Sequence, residues 1–119
     1  MPQTIIIAAH DPNIAYLLQR YAEESGFQTV NAGQCNDVFA LAQHTRPALI
    51  ILDSELPGMV GGKVVQRLKA EPATRHIPVV VYSGLDEESP VQDGVASYLQ
   101  KSVMYDDFLA ALKCARVQP

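Results

Sequence analysis

Three short apolar runs constrain this chain more than any other feature. They are Ile5-Ile6-Ile7-Ala8-Ala9, Leu49-Ile50-Ile51-Leu52 and Pro78-Val79-Val80-Val81-Tyr82. A β-rich apolar run with no polar alternation suits a strand covered on both faces. Between these runs the apolar residues fall at helical spacing. Ile14, Leu17, Leu18, Tyr21 and Ala22 form one stripe, with Pro12 near its first turn and Gly26 where a helix commonly ends. Val38, Leu41 and Ala42 form a second, over about Asn36–Thr45, with Pro47 just beyond. Val64, Val65 and Leu68 form a third that stops before Pro72, and Phe108, Leu109 and Leu112 form a last one over about Tyr105–Arg116. Short strands fit at Gln28–Asn31 and Ser97–Gln100. Five strands alternating with four or five helices predict an α/β, doubly wound domain built on a parallel sheet. Only thirteen residues separate Ser83 from Ser97, Pro90 and Gly94 among them, so the fourth helix is expected to be shortened.

A chain of 119 residues suits one domain, 1–119, with a core that needs no disulfide. Thirteen acidic residues against nine Lys and Arg, with no basic run, argue against direct nucleic-acid binding. The apolar runs fall far short of the roughly 18 residues of a membrane span. Met1–Thr4 carries no side-chain positive charge, so nothing there reads as a signal peptide. Cys35 and Cys114 are isolated, without a CxxC, and read as free thiols in a reducing, cytoplasmic setting.

Ligands of open α/β sheets bind outside the carboxyl ends of the strands. There the sequence places His10 and Asp11 after the first strand and Asp53 after the third, with Glu55 two residues on. Ser83 ends the fourth strand, and Lys101 follows the fifth. Taken singly, an Asp at a strand end is a cap or turn former and a Lys there a solvated charge. Together, a carboxylate, a hydroxyl and an ammonium at one edge suit phosphoryl transfer, which depends on positioning and electrostatics.

These segments also resemble a known family. Pro47-Ala-Leu-Ile-Ile-Leu-Asp53-Ser-Glu-Leu-Pro57-Gly58-Met59 is similar to the acceptor segment of response-regulator receiver domains. Ile77-Pro78-Val-Val-Val-Tyr-Ser83 resembles their fourth strand, and Ser97-Tyr98-Leu99-Gln100-Lys101 their fifth. The resemblance spans about residues 4–116. It implies a flavodoxin-like sheet of order 2-1-3-4-5. It implies a non-enzymatic switch that takes a phosphoryl group from a histidine kinase or phosphotransfer protein onto Asp53. By position, Ser83 and Lys101 would bind phosphoryl oxygens and Tyr98 would be the aromatic that turns inward. Mg²⁺ would be held by Asp53 and the Glu55 backbone carbonyl, joined by Asp11 if that residue, one position off the family's acidic pair, turns inward. The output would be a downstream protein or a fused output domain, with no membrane partner.

Three departures qualify that picture. The family's acidic pair falls on Ala9 and His10, and only Asp11, one position later, is acidic. Mg²⁺ prefers hard oxygen ligands and neutral imidazole is a poor substitute, so His10 is a doubtful ligand and Mg²⁺ binding is expected to be weak or absent. Ser102 follows the lysine where the family has a cis proline, and a non-proline cis bond costs about 2.5–4 kcal/mol. The short crossover is the third. These departures motivate an alternative, a pseudo-receiver that keeps the fold as an interaction module without efficient phosphorylation. A flavin or nucleotide protein is disfavoured, because no Gly-rich phosphate loop follows the first strand and Gly58, Gly61 and Gly62 do not form a dinucleotide fingerprint. His44 and His76 read as surface residues, Tyr82 as strand core, and the acidic run Asp86-Glu87-Glu88 as a solvated helix start.

Overall fold

The computed structural model describes residues 3–54, 63–83, 94–100 and 103–117. Its elements run β1 (Thr4–Ala8), α1 (Pro12–Glu24), β2 (Gln28–Asn31), α2 (Cys35–Thr45), β3 (Leu49–Asp53), α3 (Lys63–Ala70), β4 (Val79–Ser83), β5 (Val95–Gln100) and α4 (Tyr105–Cys114). The strands form one sheet, ordered β2-β1-β3-β4-β5, with every pairing parallel. That is the order expected of a flavodoxin-like, doubly wound fold. The shortened fourth helix is expected between Ser83 and Ser97; residues 84–93 of that stretch lie outside the described residues, and Val95 and Ala96 at its end belong to β5.

Alternation along the strands divides the core into two clusters. Ile5, Ile7, Leu49, Ile51, Val80, Tyr82 and Leu99 pack with Leu18 and Ala22 of α1 and Phe108, Ala111 and Leu112 of α4. Ile6, Ala8, Ile50, Leu52, Val79 and Val81 pack with Val38 and Ala42 of α2 and Val64, Val65 and Leu68 of α3. Every residue of β3 and of β4 is buried. The apolar runs are therefore the central strands, because only strands roofed on both sides can be apolar at every position. At about 1.5–3 kcal/mol for each fully buried aliphatic side chain, this burial dominates the stabilisation.

The helix boundaries follow from local chemistry. The Asp11 carboxylate accepts from the Asn13 N–H at 2.8 Å and caps α1, and Pro12 occupies the first turn. Gly26 takes φ 92° just past the end of α1, a conformation natural only to glycine. At α4 the Asp107 carboxylate accepts from the Met104 N–H at 2.8 Å. α4 ends at Cys114, two residues before the expected Arg116, which has φ 58° outside the helix.

β5 begins at Val95, two residues earlier than the sequence pattern indicates. Its register against β4 slips at the start: Val79 pairs with Val95, but Val80 pairs with Ser97. One extra residue is thus absorbed, as in a bulge, and the side-chain alternation of β5 reverses beyond it. Tyr98 pairs with Val81 and packs against the α2/α3 cluster, while Leu99 pairs with Tyr82 and joins the α1/α4 cluster.

Lys69 ties α3 to the segment that feeds β4. Its Nζ donates to the carbonyls of Ile77 at 2.8 Å and Arg75 at 3.2 Å. Its aliphatic stem fills the space a Cβ on Gly94 would need, 3.1 Å from such an atom. Burial pushes the Lys69 ammonium below its ordinary pKa of 10.5. The unfolded chain therefore holds this proton more tightly than the folded one, so stability rises as pH climbs through the window just below 10.5. Lys69→Met keeps the stem and removes the donor. Urea denaturation should show a loss of about 1–2 kcal/mol, with the alkaline rise abolished.

Candidate functional site

At the carboxyl edge of the sheet the chain leaves an apolar strand with a charged residue. Asp53 is the last residue of β3 and is 4% exposed. A buried carboxylate is costly unless donors satisfy it. The His10 backbone N–H donates to Asp53 Oδ2 at 2.9 Å, bridging the ends of β1 and β3. The adjacent Ser54 N–H donates to the Tyr82 carbonyl at 2.8 Å, so the β3–β4 ladder continues to the edge of the site. Ser83, the last residue of β4, is 5% exposed and pairs with Gln100 of β5. The fold thus brings Asp53 and Ser83 to neighbouring strand ends, as the sequence spacing requires.

The other candidates are placed differently. His10 is exposed, and what reaches Asp53 is its backbone N–H. Asp11 is also exposed, with its carboxylate engaged as the α1 cap. Tyr98 is half-buried, against the α2/α3 side of the sheet. Glu55, Lys101 and Ser102 lie outside the described residues, and so does the peptide bond between Lys101 and Ser102. His44 and His76 are exposed and Tyr82 is buried in the core. Cys114 is a free, exposed thiol.

Two supports of this edge were not apparent beforehand. The first is the His10 N–H, since a backbone donor carries no sequence signal. The second is the hydroxyl of Tyr21, which donates to the Val103 carbonyl at 3.3 Å. In sequence Tyr21 is one more member of an apolar stripe.

A divalent cation asks more of the site. Mg²⁺ takes near-octahedral oxygen ligation and is usually held by one or two carboxylates plus water and substrate oxygens. Among the described residues there is no cluster of three His, Cys, Asp or Glu side chains able to hold a metal ion. Ala9 offers no side-chain ligand, and the Asp11 carboxylate is turned to the helix. The donors among the described residues do not by themselves fit a tight Mg²⁺ site.

Residues 5–113 match the response regulator receiver domain family. The chain belongs to that family. The polar-differentiation response regulator DivK of Brucella anthropi is 30% identical over 117 residues, covering 95% of each protein. The corresponding Brucella ovis protein is 28% identical over the same length. Solved structures agree on the fold of this receiver domain. A sensor protein from Polaromonas sp. JS666 superimposes with a TM-score of 0.85 at 24% identity, over 95% of this chain and 94% of that one. The chemotaxis response regulator CheY4 of Vibrio cholerae gives 0.83 at 19%, over 97% and 99%. No helix among the described residues is long and apolar enough to cross a membrane.

The cap assignment of Asp11 has a direct test in this receiver. Asp11→Ala should cost about 1 kcal/mol in chemical denaturation, and Asp11→Ser, which can still cap, should recover most of it.

Proposed function

We propose that this receiver domain is a phosphoacceptor that takes a phosphoryl group onto Asp53 from a phosphohistidine of a kinase or phosphotransfer protein. The observation that carries the reading is the buried Asp53 carboxylate, oriented by the His10 N–H, with Ser83 at the next strand end. In the reaction a carboxylate oxygen attacks phosphorus and the P–O bond of an acyl phosphate forms. The P–N bond to the donor imidazole breaks, and that nitrogen keeps the electron pair. Ser83 and Lys101 are proposed to meet the phosphoryl oxygens, the lysine neutralising charge that develops as the group transfers. Phosphorylation adds about 1.5 to 2 negative charges and three acceptor oxygens, enough to draw on Ser83 and, through β5, on Tyr98. The altered surface then changes which downstream protein or fused domain the receiver binds. A cytoplasmic location goes with such donors.

A second reading is favoured by one observation, the engagement of Asp11 at the α1 cap beside a position occupied by Ala9. On that reading the domain is a pseudo-receiver, an interaction module that is not efficiently phosphorylated for want of metal-binding carboxylates.

One set of proteins separates the two. Phosphoryl uptake from a small acyl-phosphate donor is expected for the unmodified domain and should be abolished by Asp53→Asn. Uptake that survives this substitution rejects Asp53 as acceptor. No uptake even at high Mg²⁺ decides for the pseudo-receiver. Restoring the acidic pair, as Ala9→Asp with His10→Asp, should tighten Mg²⁺ binding at least about tenfold. A carboxylate about 4 Å from a unit charge contributes about 1 kcal/mol even in bulk water and about 4 near a protein surface. Calorimetric titration with Mg²⁺ reads this directly.

A further inference from the structure

A pocket of about 430 Å³ opens at the amino-terminal edge of the sheet, the end opposite Asp53. Its walls come from the residues that lead into β1, β3 and β4 and from the chain just after α4. Backbone hydrogen bonds hold those walls. The Ala48 N–H donates to the Thr4 carbonyl at 2.8 Å, the Ile50 N–H to the Pro78 carbonyl at 3.0 Å, and the Val117 N–H to the Leu112 carbonyl at 2.9 Å. Pro47, Ile77, Pro78 and Val117 give the pocket an apolar lining, and Gln3, His76 and Arg116 supply its polar side chains. No acidic side chain lines it, although acidic residues outnumber Lys and Arg thirteen to nine in the chain. Small-molecule sites have this make-up, with volumes of roughly 300–1,000 Å³, a mainly apolar lining and a few polar groups.

Arg116 stands where glycine is the usual choice. α4 ends at Cys114 with Ala115 as its cap, and the next residue, Arg116, has φ 58°. Its N–H donates to the Lys113 carbonyl at 3.1 Å, and the bond from Val117 to Leu112 completes a Schellman motif. The left-handed conformation crowds the Cβ of an L residue against a carbonyl oxygen, a cost that glycine avoids. The helix dipole does not call for an arginine here, since Lys113 already places a cation in the last turn. Nor does the guanidinium tie down another part of the fold. Neither the Arg116 nor the His76 side chain has a hydrogen bond or ion pair among the described residues. What arginine brings to this position is a planar fork of donors, which matches a carboxylate.

We propose that this pocket binds a small organic carboxylate. Its charge is met by Arg116 and His76, and its apolar body lies against Pro47, Ile77, Pro78 and Val117. The site is at the far end of the sheet from Asp53, and the proposal does not depend on phosphoryl transfer there.

Benzoate is the probe, titrated into the ¹⁵N-labelled full chain and followed in two-dimensional amide spectra. The shifts should saturate at millimolar benzoate and centre on Gln3, Ala48, Ile77 and Val117. Benzamide keeps the ring without the charge, and inorganic phosphate keeps a charge without the ring. Each should bind at least about tenfold more weakly than benzoate, the scale of one charge-assisted hydrogen bond or more. Arg116→Gly suits the left-handed turn, so its denaturation midpoint should be unchanged or higher while benzoate binding falls about tenfold or more. If that variant disturbs the amide spectrum beyond the pocket, Arg116→Gln takes its place with the same expected loss. Shifts that never saturate, or that centre elsewhere, overturn the proposal. So does benzamide or phosphate binding as tightly as benzoate, and so does undiminished benzoate binding once the guanidinium is removed.

Discussion

Between two layers of helices, β3 and β4 have no exposed residue, and β1 is nearly as enclosed. Everything else in the structure follows from that enclosure. Each apolar side chain goes to one helical layer or the other, and α1 with α4 and α2 with α3 must each present a continuous apolar stripe to receive them. Polar chemistry is then confined to strand ends, where backbone donors and water are available. Asp53 is at the limit of this arrangement. It is as buried as the core residues before it, and the His10 N–H compensates part of the loss of water.

That same bond comes from the main chain after β1 and needs no carboxylate there. A backbone N–H is independent of side-chain identity, so the bond that orients Asp53 is compatible with Ala9 and His10 at the end of β1. Asp11 is one position too late and stabilises the start of α1 instead.

Much of the fold was legible because the relevant signals are local. The Ile5–Ile7, Leu49–Leu52 and Val79–Val81 runs are strands because nothing else accommodates that pattern at that length. The stripes at Leu18/Ala22 and Val64/Val65/Leu68 are buried helix faces for the same kind of reason. The placement of Asp53 and Ser83 at neighbouring strand ends was legible because each follows such an apolar run. The role of Asp11 was harder to read. An acidic residue before a helix is equally a cap and a ligand until its direction is known.

The sequence by itself determined the alternation of strands and helices, the parallel sheet, and the edge at which a carboxylate and a hydroxyl would meet. These depend on hydrophobic period and on residue type at run ends, which short-range physics sets. Only the tertiary structure decided three things. It decided the slip between Val79–Val95 and Val80–Ser97, which turns Tyr98 towards the α2/α3 side. It decided that the main chain of His10 is what reaches Asp53. It also decided that Tyr21, 82 residues away, holds Val103. Each depends on where two distant backbones come to rest, and no local preference encodes that.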